Sequence, residues 1–377
     1  MDSARLRAWL LRVVRRGRLR VQVHAVLRSR FGCGCALGRS GDRHRLAGFR
    51  RTVSVVGQGS SAAAARRTRR RRAGDAAGLR ERAMTIVVTG ALGQVGRELV
   101  LRAGEQPLVG LSRAALDIDD ADAVRHALDE QRATLVINAA GWTAVDRAEA
   151  EPDAAWRANR DGPAVLADAC AARGIPLLHL STDYVFDGRL PGPYAEAAAV
   201  GPLGVYGRSK LAGEEAVRER LPDRHLILRV AWVFGAHGSN FVRTMLRLAR
   251  EREVVGVVAD QYGGPTHAGA IADALLTIAA RYRAGEALRW GTYHLCGTPV
   301  TTWHGFAETI FTEARRTGLI DRVPLVRPIR TDAYPLPAPR PANSALDCSL
   351  LREHFGVESP SWIAGLTDVF ATWKRNP

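Results

Sequence analysis

Met84-Thr-Ile-Val-Val-Thr-Gly-Ala-Leu-Gly-Gln-Val-Gly96 decides how the rest of the chain is read. Ile86, Val87 and Val88 form a short apolar run without charge, as a buried strand does. Gly90, Gly93 and Gly96 follow at G-x-x-G-x-x-G spacing, and Arg97 to Leu101 opens a helical pattern. A strand, a glycine turn and a helix N-terminus together make a phosphate cradle. Glycine permits the tight turn and the close backbone approach, and free N–H groups face the anion. A glycine pattern alone is also found in ordinary turns; here a strand precedes it and a helix follows it, as the phosphate motif requires.

Charge is distributed unevenly over the 377 residues, which carry a net +16. Residues 1–83 hold 22 Arg, no Lys and four acids (Asp2, Asp42, Asp75, Glu81), a surplus of +18. That leaves 32 basic and 34 acidic residues, near −2, for the 294 residues from Met84 onward. Three readings of 1–83 compete. Six Arg between Arg66 and Arg72 suit a nucleic-acid or membrane-surface tail. Arg15-Arg16 suits a targeting segment, although no apolar stretch with a cleavage site follows. The third, which we expect, is read-through from a mis-set start, with Met84 the true first residue. Such a composition buries no core and is expected to be disordered.

The remainder suits an α/β fold, a doubly wound parallel sheet with a smaller C-terminal substrate lobe. The expected division is 84–235 for the dinucleotide domain and 236–377 for most of the substrate lobe. No apolar run of about 18 residues occurs, so no membrane helix is expected. Cys170, Cys296 and Cys348 give no disulfide framework, and Cys33-Gly-Cys35 lacks a second pair for zinc. A reduced, cytoplasmic protein is the plain expectation.

Further along, Leu108 to Leu111 reads as a second strand ending in Ser112-Arg113, where an adenosine ribose would lie. These two residues suit a 2′-phosphate and therefore NADPH over NADH, and a solvated loop Arg is the competing reading. Asp117, before Ile118, can accept from an adenine amino group. Asp122 to Gln131 reads as a helix, and Leu135 to Ala140 as a strand. Its end, Asn138-Ala139-Ala140-Gly141, is small enough for a flat cofactor to lie close. Ala154 to Arg173 reads as one helix, and Pro176 to Leu180 as the next strand. Ser181-Thr182-Asp183-Tyr184 stands at that strand's carboxyl end, where doubly wound sheets bind ligands. Tyr206 and Lys210 lie at i, i+4, on one face of a helix reaching Arg220. A nearby ammonium lowers a phenol's pKa and makes it a usable acid for an oxygen gaining charge.

With these residues in place the chain, from Met84 to about Trp362, resembles the dTDP-4-dehydrorhamnose reductase family of extended short-chain dehydrogenases. The carrying blocks are Thr89 to Gly96, Asn138 to Ala140, Thr143 to Asp146, Ala148-Glu149, Ser181 to Gly188 and Val205 to Gly207. Ser209 to Glu214, Arg229, Trp232-Val233, Asn240-Phe241, Asp260 to Gly263 and Pro265-Thr266 continue the series. Thr301 to His304, Ala333 to Pro335, Arg340-Pro341 and Asn343-Ser344 complete it.

The resemblance implies NADPH-dependent reduction of the C4 keto group of dTDP-4-dehydro-β-L-rhamnose. It implies Tyr206 as proton donor, Lys210 as its partner and Thr182 as a hydroxyl on the C4 oxygen. Asp183 and Trp232 become substrate contacts, and Arg340 a candidate for the pyrophosphate, with a salt-bridged surface Arg as the competing reading. Gly90, Gly93, Gln94, Val95, Gly96, Ser112, Arg113, Asp117, Ile118, Ala139, Ala140, Gly141, Trp142, Thr143, Tyr206 and Lys210 form the expected cofactor set. A homodimer is implied too, bridged in some members by magnesium through glutamates. Glu98 matches one such position, but Gly269 stands where a second Glu is expected, so no metal is assigned. The rivals are a 4-ketoreductase of another dTDP-deoxysugar and a non-catalytic regulatory subunit. Nucleic-acid binding would rest on residues 1–83 alone.

Overall fold

The computed structural model describes residues 85–375. The arginine-rich stretch and the Met84 start lie outside the described residues.

Six parallel strands form the central sheet: β1 (Thr85–Thr89), β2 (Leu108–Leu111), β3 (Ala133–Asn138), β4 (Leu177–Thr182), β5 (His225–Val230) and β6 (Gly291–Leu295). Their spatial order is β2-β1-β3-β4-β5-β6. The order reverses between β1 and β3, which opens a crevice at the carboxyl ends of those strands. All-parallel sheets need cover on both faces, and alternating side chains supply it. Ile86, Val88, Leu135, Ile137, Leu178, Leu226 and Leu228 pack on one face with helices α1 (Gln94–Arg102) and α6 (Ala268–Arg283). Val87, Val136, Leu177 and Ile227 pack on the other, with α2 (Ala121–Glu130), α3 (Gly162–Arg173) and α4 (Val205–Arg220). A third core gathers Phe234, Val242, Leu246, Phe306, Phe311, Trp362 and Phe370. These come from strand Val233–Phe234 and from α5 (Phe241–Glu251), α7 (Trp303–Arg316) and α8 (Trp362–Arg375).

Four elements differ from the sequence reading: β3 runs over Ala133–Asn138, two residues earlier at each end than expected, with Ala139 and Ala140 beyond it, and the other three differ for local reasons. Helix α2 starts one residue early because Asp120 caps it, accepting from the backbone N–H groups of Asp122 and Ala123 at 3.0 Å. Strand β4 runs two residues further, so Ser181 and Thr182 are strand residues paired with Arg229 and Val230. The expected single helix over 154–173 is broken: Pro152–Trp156 is followed by a π-helical turn, Arg157–Asp161, and then α3. A π turn offsets the helix by one residue and often marks a functional position.

That π turn packs directly against α4. A Cβ added at Gly213 would come within 2.0 Å of the Asn159 backbone oxygen, a contact that only a shift of the backbone can relieve. Gly213→Ala is therefore expected to lower stability by about 1–3 kcal/mol, the usual range for overpacking. Gly174→Ala, at φ +63° but with open space around it, should cost about 1 kcal/mol. Thermal denaturation of the two variants tests the ordering; equal losses would contradict it.

Candidate active site

The glycine turn after β1 forms the floor of the crevice. Gly90 has φ +69°, and a Cβ there would stand 2.6 Å from Ala139 O and Ala140 N, so the turn lies against the end of β3. Gly93 occupies the N-cap of α1 and gives no side-chain cap. The first intrahelical bond runs from Arg97 N to Gly93 O, which leaves the N–H groups of Gln94, Val95 and Gly96 for an anion. These residues fit a dinucleotide pyrophosphate.

The end of β3 is held by a side-chain chain. Thr89 Oγ1 donates to Asn138 Oδ1 at 2.6 Å, Ala140 N donates to the same oxygen at 3.0 Å, and Asn138 Nδ2 meets His179 Nδ1 at 3.0 Å. His179 is buried and neutral, its pKa pushed well below 6.5 by burial and next by Lys210. The following loop is clamped by Asn159. Its Oδ1 accepts from Trp142 N at 2.8 Å, and its Nδ2 donates to Trp142 O at 3.1 Å and to Ser209 Oγ at 3.0 Å. The π turn thus points one buried amide at both the Gly141-Trp142-Thr143 loop and α4.

Helix α4 carries Tyr206 in its first turn. Gly204 gives that helix no side-chain cap, and Glu149 Oε1 takes the role by accepting from Val205 N at 2.7 Å. Lys210 follows one turn later, 6% exposed, donating to Leu180 O at 2.6 Å. Burial pulls its pKa down to about 8, with Glu214 opposing. The Tyr206 phenol is pushed up to about 12, chiefly by burial, while a hydrogen bond with Thr182 works against the rise. The sequence reading expects the ammonium to lower this pKa; burial and then the nearby Asp183 instead raise it, and the phenol stays protonated across the physiological range.

At the end of β4, the Thr182 hydroxyl donates to Asp183 Oδ1 at 3.0 Å and accepts from Tyr184 N at 3.2 Å. Asp183 is 2% exposed, and its Oδ2 has no partner of good hydrogen-bond geometry. Burial raises its pKa to about 6, offset in part by the Ser344 and Thr182 hydroxyls. Trp232 sits at φ +47°, a strained conformation for an aromatic residue. It stacks on Trp303 with ring centroids 3.7 Å apart and 10° between planes, and Phe241 leans on Trp303 at 4.7 Å.

Other candidates lie further out. Arg113, at the end of β2, is largely exposed and reaches Asp117 at 3.4 Å. Ile118 is buried, and its side chain fills the space beside Gly162. Gln94 reaches the opposite wall, its Oε1 accepting from Asn240 Nδ2 at 3.1 Å. Arg340 donates to Asp146 at 2.9 Å, so the guanidinium that a pyrophosphate would need is already engaged. Arg102 binds both Glu98 and Asp273 at 2.8 Å, and a Cβ at Gly269 would fall within 2.4 Å of its guanidinium. A guanidinium already balances these carboxylates, and the donor set does not fit a bridging metal.

Sequence reasoning missed Asn159, Glu149 as a helix cap, and the partnership of Trp303 with Trp232. Only the break that Pro152 and Gly162-Pro163 put into the helical pattern points toward the first.

The RmlD substrate binding domain family matches residues 84–375. The chain is 43% identical over 289 residues to the dTDP-4-dehydrorhamnose reductase of Aggregatibacter actinomycetemcomitans, covering 76% of this chain and 98% of that one. It is 41% identical over 287 residues to the dTDP-4-keto-6-deoxy-D-glucose reductase of Streptomyces niveus, covering 75% and 96%. The crystal structure of the Bacillus anthracis dTDP-4-dehydrorhamnose reductase in complex with NADP matches with a TM-score of 0.69 at 34% identity. That match covers 77% of this chain and 99% of the other.

Asp183 supplies a stability test. Its pKa is raised in the folded state, so the stability it contributes is present below about pH 4 and is lost as pH rises through 6. Asp183→Asn should therefore be more stable than wild type at pH 7.5, by about 2–3 kcal/mol. The gain should shrink as pH falls from 6 to 4. Denaturant unfolding at the two pH values checks it; a pH-independent difference would contradict the burial of a charged Asp183.

Proposed function

The chain belongs to the dTDP-4-dehydrorhamnose reductase family, and on that footing we propose that it reduces the C4 keto group of dTDP-4-dehydro-β-L-rhamnose with NADPH, giving dTDP-β-L-rhamnose. The observation that carries this reading is the meeting of Thr182, Tyr206 and buried Lys210 at the carboxyl end of β4, beside the glycine cradle. Bound NADPH supplies a hydride to the sugar C4. Tyr206, protonated and half-buried, gives its proton to the oxygen that gains charge. Thr182 donates to the same oxygen, and Lys210 supports the tyrosinate left behind and holds the nicotinamide ribose.

The cradle from Gly90 to Gly96 takes the pyrophosphate, and Ala139 to Thr143 flanks the cofactor. Ser112 and Arg113 take the 2′-phosphate, and Asp117-Ile118 borders the adenine. Asp183 and the Trp232–Trp303 stack receive the sugar. In this reading residues 84–235 bind the cofactor and 236–377 mainly the substrate, and a chain beginning at Met84 is active. The enzyme works as a cytoplasmic homodimer; no described helix is long and apolar enough to cross a membrane. One observation favours a second reading, the reduction of another dTDP-4-keto-6-deoxyhexose: the Streptomyces niveus relative carries that name at nearly the same identity.

Tyr206→Phe keeps the ring and removes the proton. Turnover should fall by roughly two to four orders of magnitude, with NADPH affinity little changed. Lys210→Met should reduce both, and Thr182→Val mostly turnover. Single-turnover reduction and cofactor titration separate the roles; near-wild-type reduction by the Phe variant would remove Tyr206 from the chemistry. Arg113→Ala should weaken NADPH more than NADH, and an equal response would make Arg113 a loop residue.

A further inference from the structure

Three consecutive residues of β4 each engage one of three side chains spaced by four along α4. Lys210 Nζ donates to the Leu180 carbonyl at 2.6 Å. The buried Ser181 hydroxyl faces Glu214 without a well-aligned hydrogen bond, and the Thr182 hydroxyl lies against Tyr206. Tyr206, Lys210, Glu214 and Arg218 fall at four-residue steps, and so along one face of the helix. Glu214 is the inner member, with no exposed surface. Its Oε1 accepts from Arg229 Nε at 2.9 Å, and its Oε2 from Arg229 Nη2 at 2.7 Å and Arg218 Nη2 at 2.6 Å. Arg229, from β5, is 2% exposed and also lies over the Phe186 ring at 5.1 Å.

A carboxylate this deep, gripped by two guanidiniums, serves stability poorly compared with apolar packing. Its position one turn below Lys210 suggests another use. We propose that Glu214, clamped by Arg229 and Arg218, is a positioning residue for the reduction: it keeps Lys210 an ammonium and fixes α4 in register on β4. The charged and titratable groups around Lys210 are few. Its own helix offers Tyr206, Glu214 and Arg218, β4 offers His179 and Asp183, and β5 offers Arg229. His179 is held neutral by burial, so it adds no charge near neutral pH. The balance at Lys210 is thus set by burial, which disfavours the ammonium, against Glu214, which favours it and is itself shared with two guanidiniums. This inference rests on the proposed reduction only for its consequence, not for its first test.

The chain has two lysines, Lys210 and Lys374, and Lys374 is exposed. Protein labelled with 13C-lysine therefore gives two Cε resonances, one of them an internal reference. Titration without sugar or cofactor should place Lys210 near pH 8 in the wild type. In Glu214→Gln the midpoint should fall by about one pH unit, as loss of a close opposite charge requires. In Arg218→Met, which removes a half-exposed cation, the midpoint should rise, and this variant decides the matter if the first does not fold. Turnover of Glu214→Gln should then fall further below wild type at pH 8.5 than at pH 6.5, by about sixfold when the midpoint drops from 8 to 7. A Lys210 midpoint unmoved in both variants, or a loss of turnover equal at all pH values, overturns the proposal. Altered midpoints in a protein that does not reduce the sugar would instead sink the proposed function and the positioning role with it, and leave only the coupling of Glu214 to Lys210.

Discussion

The structure depends on keeping one ammonium, Lys210, charged inside protein. Taking a charge out of water is costly unless other groups replace the solvent. Here the replacement comes from two directions: a strand carbonyl at 2.6 Å and a carboxylate one turn along the helix. Burial still pulls the lysine down to about 8, so the compensation is partial. A partly compensated ammonium next to a protonated phenol is a poor arrangement for stability. A tyrosinate formed there would give the ammonium a counter-charge, although burial disfavours the tyrosinate itself.

The surrounding fold places that pair. A parallel sheet collects its carboxyl ends along one edge, and the reversal of order between β1 and β3 leaves room there. The same edge carries other costs. Trp232 holds a backbone conformation that few side chains adopt, and Asp183 keeps an oxygen without a partner. A π turn interrupts a helix to aim Asn159 at two elements at once. Strain and unmet polarity of this kind gather at sites that await a ligand. The sheet core beneath them is saturated and apolar, with Val87, Val88, Leu135 and Val136 fully buried.

The parts legible in the sequence were those governed by local spacing. Gly90-x-x-Gly93-x-x-Gly96 and Tyr206-x-x-x-Lys210 are readable because a turn and a helix face fix what they can do. Glu149 as the cap of α4 was not readable, because its acceptor role joins residues 56 positions apart. The Asn159 clamp was hidden for the same reason and by the π turn, which displaces the face that a regular helix would present. The raised pKa of Tyr206 escaped as well: spacing shows that an ammonium is near but does not show how dry the site is. For Arg340 the sequence left a pyrophosphate contact and a salt-bridged arginine both open, and the partner Asp146, far away in sequence, settles the second.

The account stands on hydride delivery to one carbon beside a proton from one phenol. The most direct measurement is the reduction of dTDP-4-dehydro-β-L-rhamnose with NADPH deuterated at the transferring position of its nicotinamide, followed by NMR of the product sugar. The account predicts dTDP-β-L-rhamnose with deuterium at C4 alone, formed by the wild type and nearly abolished in Tyr206→Phe. Deuterium at another carbon, or an unreduced sugar with both cofactors, would contradict it.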